Sequence, residues 1–260
     1  MQSAFQPIRD RVLRREILSG TFINLGSSVT TEIAGRSGLD WLLIDLEHSA
    51  GDEHTLLTQL QAVSATPACP IVRIPHNDPW RFKRILDLGA SGIMVPWISS
   101  VREAEQVVSA MRYAPDGIRG VANLNRASGF GRDFKRYFAE ANHSLLTIVQ
   151  IEQPEALEVI DDIAAVEGVD VLFLGPLDMS VSMGIPQDYD HPDFKKAKQR
   201  IADAAFKAGK AAGTLLMSPD QLQETVEQGY TMVAIGSDGG VVAKGMQQIA
   251  RSFDSVRSDA

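Results

Sequence analysis

Apolar positions along this chain gather into short runs rich in branched aliphatic residues. Each run is followed by a stretch whose apolar residues recur at helical spacing, often closing on glycine. The runs TFINL (21–25), WLLID (41–45), PIVRI (70–74), GIMVP (92–96), LLTIVQI (145–151), DVLFLG (170–175), AAGTLL (211–216) and MVAIG (232–236) predict eight strands. Between them EHTLLTQLQAVSA, PWRFKRILDLGA, REAEQVVSAMRY, PEALEVIDDIAA, HPDFKKAKQRIADAAFKAG and PDQLQETVEQG predict helices, several opened by proline. Eight such repeats with apolar strands imply an α/β chain folded as a parallel (β/α)8 TIM barrel. An open doubly wound sheet is the rival, but it carries a glycine-rich phosphate turn after its first strand. Here that turn reads NLGSSVT, without G-x-G-x-x-G. No low-complexity linker divides the chain, so residues 1–260 are expected to form one domain. Two longer excursions, 113–143 and 179–194, are expected to serve function or an interface.

Composition narrows the partners. At 260 residues with 44% hydrophobic content the chain can bury a large core. A net charge of -8 comes with no basic stripe and interleaved aromatics, which argues against nucleic acid. No apolar run approaches the roughly 20 residues of a membrane span, and MQSAFQPIRDRVLRRE has no signal-peptide core, so a cytoplasmic protein is expected. The single cysteine, Cys69, cannot form an internal disulfide and is read as a packing residue.

Polar residues then fall in a pattern. In a (β/α)8 barrel chemistry sits where strands end. Strand two ends at Asp45 with Glu47 and His48 just beyond, strand three carries Arg73, strand five ends in Gln150 and Glu152, and strand six runs into GPLDMS with Asp178. Each has an ordinary alternative: Asp45 or Asp178 as a cap, His48 as a loop histidine, Arg73 as a structural ion pair, Glu152 as a partner of a helix dipole. Their joint arrival on one rim is what ordinary readings do not explain. Two carboxylates from adjacent strand ends, Glu152 and Asp178, suit a hard divalent cation, Mg²⁺ or Mn²⁺, that keeps water or substrate oxygens in its other positions. Zinc would want His or Cys ligands, whereas His54, His76, His143 and His191 fall in helices or loops.

Taken in order, WLLIDLEHSAGD, VRIPHNDPWRFKRILDLGASGIMVP, RYAPDGIRG, IVQIEQPEAL and GVDVLFLGPLDMSVSMG resemble the HpcH/HpaI family of metal-dependent, pyruvate-type aldolases, over about residues 20 to 240. The resemblance implies a barrel of the phosphoenolpyruvate/pyruvate-binding type, and class II cleavage of a 4-hydroxy-2-oxo acid to pyruvate, or a close 2-oxo acid such as hydroxypyruvate, and an aldehyde. It also implies a divalent metal (Mg²⁺ or Mn²⁺, with Co²⁺ as a third option), and a homohexamer, a dimer of trimers, that exchanges its C-terminal helix. Carried over by residue, it places the metal on Glu152 and Asp178, the base on His48 and the transition-state arginine on Arg73. Asp45 and Asp87 orient the base, and Gln150, Gly175, Pro176, Leu177, Asp178 and Leu215 join Arg73 in contacting substrate. The family pattern GPADLS reads GPLDMS here, so Leu177 is where substrate preference is expected to differ.

Cleaving C3–C4 leaves charge on the pyruvate oxygen, which a metal and Arg73 would receive while His48 takes the C4 hydroxyl proton. An imine route would need a desolvated lysine at the barrel top. Lys83, Lys135, Lys195, Lys196, Lys198, Lys207 and Lys244 lie in helix-like or loop segments, and Lys210 precedes strand seven. The alternatives are a phosphoenolpyruvate or pyruvate-enolate lyase or mutase, with Arg119 and Arg126 as phosphate ligands, and a non-catalytic metabolite-binding barrel. Trp97, residues 119–132 and Leu177 are expected to shape the aldehyde pocket.

Overall fold

The computed structural model describes residues 8–254 and Arg257. The stretch MQSAFQP at the start of the span 1–260, and positions 255, 256 and 258–260, lie outside those residues. The strands are β1 (Leu18–Ile23), β2 (Trp41–Asp45), β3 (Cys69–Arg73), β4 (Gly92–Val95), β5 (Leu146–Ile151), β6 (Val171–Leu174), β7 (Ala211–Leu216) and β8 (Tyr230–Ser237). They pair in chain order, all parallel, and β8 closes on β1: the (β/α)8 TIM barrel expected from the pattern. The helices are α1 (Arg9–Leu13), α2 (Ser28–Gly35), α3 (Glu53–Val63), α4 (Pro79–Asp87), α5 (Val101–Met111), α6 (Phe134–Ser144), α7 (Pro154–Glu158), α8 (Ile160–Ala165), α9 (Pro176–Ser182), α10 (Pro192–Lys207), α11 (Leu222–Glu227) and α12 (Asp238–Ser252). Among the described residues no helix is long and apolar enough to cross a membrane.

Parallel strands covered by helices are buried on both faces, so their sequences read as unbroken apolar runs. The period-2 phase is still legible in two buried clusters. Trp41 and Leu43, Cys69 and Ile71, and Leu146 and Ile148 belong to the cluster inside the barrel. Leu42 and Ile44, Val72, and Val149 belong to the cluster between barrel and helices. Inside, large residues face glycines: a Cβ on Gly20 would lie 2.2 Å from the Trp41 indole, and one on Gly213 would lie 2.5 Å from the Phe173 ring. That explains the first difference from the sequence pattern. The run 21–25 stops short of Gly20 as a breaker, yet β1 starts at Leu18, because glycine is what makes room for Trp41.

Two predicted helices are also divided. The 154–165 segment breaks at Val159 (φ −118°) into α7 and α8, and the 219–229 segment opens with a 3₁₀ turn at Pro219–Gln221. At the strand N-termini α1 plugs the barrel, placing Ile8 and Val12 in the interior cluster. Arg9 reaches from it to the buried Asp170, with Nη2 2.9 Å from Oδ1. Cys69 opens β3 as a buried residue, and burial pushes its thiol up to about 12, in keeping with packing.

Candidate active site

Strand phase delivers the side chains. Asp45, Arg73 and Gln150 each stand two positions beyond an inward residue, Leu43, Ile71 and Ile148, and Glu152 stands two beyond Gln150. Register places Asp45 opposite Arg73. The guanidinium donates from Nε to Asp45 Oδ1 at 3.0 Å and from Nη2 to Oδ2 at 2.8 Å, and Nη1 lies 3.1 Å from Glu47 Oε2. Phe22 from β1 carries it on its ring face, 5.2 Å from the centroid. Burial works against the charge on Arg73, but the Asp45 hydrogen bond and the charges of Asp45, Glu47 and Glu152 overcome it and raise its pKa.

Glu152 is buried at the top of β5. Gln150 Nε2 donates to its Oε2 at 2.6 Å, and the Trp97 N–H donates to Oε1 at 2.8 Å. Trp97 takes a left-handed backbone (φ 60°) to aim that N–H, a conformation that costs a non-glycine residue about 1 kcal/mol or more. Gly175 makes the approach feasible, since a Cβ there would lie 2.4 Å from Glu152 Oε2 and 2.7 Å from Gln150 Nε2. Burial raises the Glu152 carboxyl, the Trp97 N–H lowers it, and the charges of Asp178 and Glu47 raise it further, to about 7. Asp178 stands in the first turn of α9 and, unlike Glu152 itself, lines the cavity at this barrel mouth.

His48 follows β2 in a loop, its side chain 65% exposed, with Nε2 3.9 Å from Glu47 Oε1. Asp45 Oδ1 accepts the main-chain N–H of Glu47 (3.0 Å) and of His48 (3.4 Å), and the Ser49 hydroxyl donates to the Asp45 carbonyl. So Asp45 fixes the His48 backbone, while its carboxylate is taken by Arg73. The implied side-chain pairing of Asp45 with His48 is therefore replaced by an Asp45–Arg73 pair.

Asp87 departs further from expectation. It ends α4, five positions before β4 begins, and Arg119 Nη2 donates to it at 2.8 Å. A helix that returns to start the next strand ends at the opposite barrel face, so Asp87 does not join His48 within this chain.

Asp45, His48, Arg73, Gln150 and Asp178 line one cavity of about 760 Å³, as do Gly175, Pro176, Leu177 and Leu215. Residues 119–132 do not line it, nor does Trp97. Arg119 is buried against the Tyr113 and Tyr137 rings, and Arg126 donates to the Leu88 and Leu60 carbonyls, so neither serves a phosphate at the mouth. Lys244, in α12, lines the mouth and is exposed rather than desolvated.

Glu47 joins the site beyond the residues expected from the sequence, and DLEH holds the signal: an acid two positions past a rim aspartate. Burial raises its carboxyl, with Arg73 opposing. Three carboxylates, Asp45, Glu47 and Glu152, thus act on one guanidinium, and the charge of Asp178 acts on Glu47 and Glu152. The excess of negative charge, a Glu152 carboxyl raised by burial and by the charges of Asp178 and Glu47, and the buried, unpartnered Gln150 Oε1 all fit a bound cation. Among the described residues no group of three or more His, Cys, Asp or Glu is arranged to hold a metal, so Glu152 and Asp178 would leave most positions to water or substrate.

Comparison with known proteins places the chain in a family. Residues 18–245 match the profile of the HpcH/HpaI aldolase/citrate lyase family. A 5-keto-4-deoxy-D-glucarate aldolase of Shigella boydii is 38% identical over 239 residues, 92% of this chain and 93% of that protein. The crystal structure of an HpcH/HpaI aldolase/citrate lyase family protein from Burkholderia cenocepacia superposes with a TM-score of 0.90 at 34% identity, covering 95% of this chain and 98% of that one. An HpcH/HpaI aldolase from Desulfitobacterium hafniense gives 0.87 at 27% identity, covering 96% of each chain.

Proposed function

This chain belongs to the HpcH/HpaI aldolase/citrate lyase family, and from that premise we propose that it is a metal-dependent aldolase. It cleaves a 4-hydroxy-2-oxo acid to pyruvate, or a close 2-oxo acid, and an aldehyde. The observation that carries the reading is a pair of unlike buried groups on one rim: Arg73 held by two acids, and Glu152 held by Gln150 and the Trp97 N–H, with the charge of Asp178 acting on it.

Glu152 and Asp178 would hold the cation, Mg²⁺ or Mn²⁺, which when bound supplies Lewis-acid stabilisation of the enolate. Arg73 is a fixed, always charged group at the oxygen that gains charge. His48 accepts the C4 hydroxyl proton as the C3–C4 electron pair moves toward the carbonyl, and Asp45 holds its main chain. Gln150 holds Glu152 and lines the substrate cavity with Gly175, Pro176, Leu177 and Leu215. Asp87 can orient a His48 only of a neighbouring subunit.

Assembly is part of the same reading. Residues 241–250 of α12 are exposed throughout, among them Val241, Met246 and Ile249. An apolar groove of about 390 Å³, lined by Ile17, Ile33, Leu39, Leu222 and Val233, runs beside β1 and β8. A helix exchanged between copies would cover both surfaces, as in the hexamer that the family implies.

The test is pyruvate release from 4-hydroxy-2-oxo acids. EDTA should abolish turnover and Mg²⁺ or Mn²⁺ restore it, while His48→Ala should lose roughly 10²- to 10⁴-fold. Full activity in EDTA, or borohydride trapping of pyruvate on Lys244, would overturn the metal-enolate reading.

A further inference from the structure

Behind one wall of the mouth lies a smaller crevice between α10 and α11, and we propose that it is an aldehyde-capture site: the Lys198 amine forms a reversible imine there with a small, uncharged aldehyde. The source of the aldehyde rests on the aldolase reading, in which it leaves the mouth alongside. The crevice holds about 40 Å³, and Pro176, Tyr189, Leu215 and Met217 line both it and the mouth. On a measure of roughly 10–15 Å³ per water, that is room for about three to four heavy atoms. Lys198 lines the crevice and not the mouth, so its amine is not placed for an imine with the 2-oxo acid.

Lys198 Nζ donates to the buried Thr225 hydroxyl at 2.8 Å and stands 5.7 Å from the centroid of the Tyr230 ring. Among the described residues no carboxylate forms an ion pair with it, and its neighbour Lys195 is paired with Asp190 at 2.8 Å. Burial lowers the Lys198 pKa, Glu224 raises it and the like charge of Lys195 lowers it again; the net direction favours the free amine that an imine requires. Burial raises the Tyr189 and Tyr230 phenols, so neither adds a charge beside it. From the end of α11, Gln228 gives its Nε2 to Glu224 at 3.1 Å and leaves a buried Oε1 without a partner. A bound carbonyl cannot satisfy that acceptor, but the hydroxyl of a carbinolamine can. The amine lone pair adds to the carbonyl carbon, the C=O π pair takes up the proton that nitrogen gives away, and loss of water leaves C=N. The step is redox-neutral. Anions fit less well, because Asp190 and Glu224 line the same crevice.

Reductive labelling reads the site without turnover. The protein is exposed to limiting propanal with cyanoborohydride, and the alkylated lysines are mapped by peptide mass spectrometry. At pH 7 Lys198 should be labelled several-fold faster than the exposed Lys135, whereas bulky trimethylacetaldehyde should label Lys135 and spare Lys198. The Lys198 to Lys135 ratio with propanal should fall toward one as pH rises to about 10, where ordinary lysines also lose their proton. Glu224→Gln should speed labelling at Lys198 and Lys195→Met should slow it, opposite signs that a loosened fold would not produce. Labelling of Lys198 no faster than Lys135 at pH 7, or equal labelling of Lys198 by both aldehydes, would overturn the site and leave the aldolase reading standing. Selective labelling in a protein without aldolase activity would uphold the site and remove only the source assigned to its aldehyde.

Discussion

Arg73 gives its N–H groups to two acids from β2 and its flank, and that arrangement decides what its removal would do. Arg73→Ala should lose about 10²- to 10³-fold in kcat, the range for a missing oxyanion donor, and should also destabilise the fold, because Asp45 is left buried without its partner. Arg73→Lys separates the effects: it keeps the charge but cannot bridge both acids, so stability should largely return while activity stays low, read by kinetics and denaturant melts on the same samples. Glu152 gives the second test at this scale. With its carboxyl raised to about 7, it is mostly protonated at pH 6 and mostly ionised at pH 8. Mn²⁺ binding should therefore release close to one proton at pH 6 and only about a tenth of one at pH 8, and affinity should rise with pH over that interval. Calorimetry in buffers of different ionisation heat measures it; release that is flat or rising with pH would contradict the raised carboxyl.

At the scale of elements, the alternation within each strand does most of the work. It was legible in WLLID and AAGTLL, whose boundaries the structure reproduces, and less so in β1, where Gly20 reads as a stop. The reason is non-local: Gly20 is set by the Trp41 indole across the ladder, which no window on β1 contains. Gly20→Ala should accordingly cost about 1–3 kcal/mol through overpacking, seen as a lower denaturant midpoint with an unchanged slope. An unaltered midpoint would mean that Trp41 has somewhere to go. The same limit applies to α7 and α8: PEALEVIDDIAA has continuous helical spacing, and the break at Val159 belongs to how the chain turns over the barrel.

For the whole molecule, the barrel closes without needing α12, which leaves an apolar helix face beside an apolar groove. Light scattering at micromolar concentration should find an oligomer, and Met246→Asp with Ile249→Asp should dissociate it toward monomer. A monomer in the unaltered protein would count against helix exchange.

The sequence by itself determined the eight-strand order, the inward phase of each strand, and therefore the rim on which Asp45, Arg73, Gln150, Glu152 and Asp178 gather. Chain order and period-2 alternation fix these, and both are local. Only the tertiary structure decided that Asp45 and Glu47 clasp Arg73, that Arg119 holds Asp87 away from His48, that Arg126 is tied to main-chain carbonyls, and that Lys244 enters the mouth. Those outcomes depend on side chains brought together from distant segments by barrel closure, where competing partners and available space choose among pairings that the linear pattern leaves equally open.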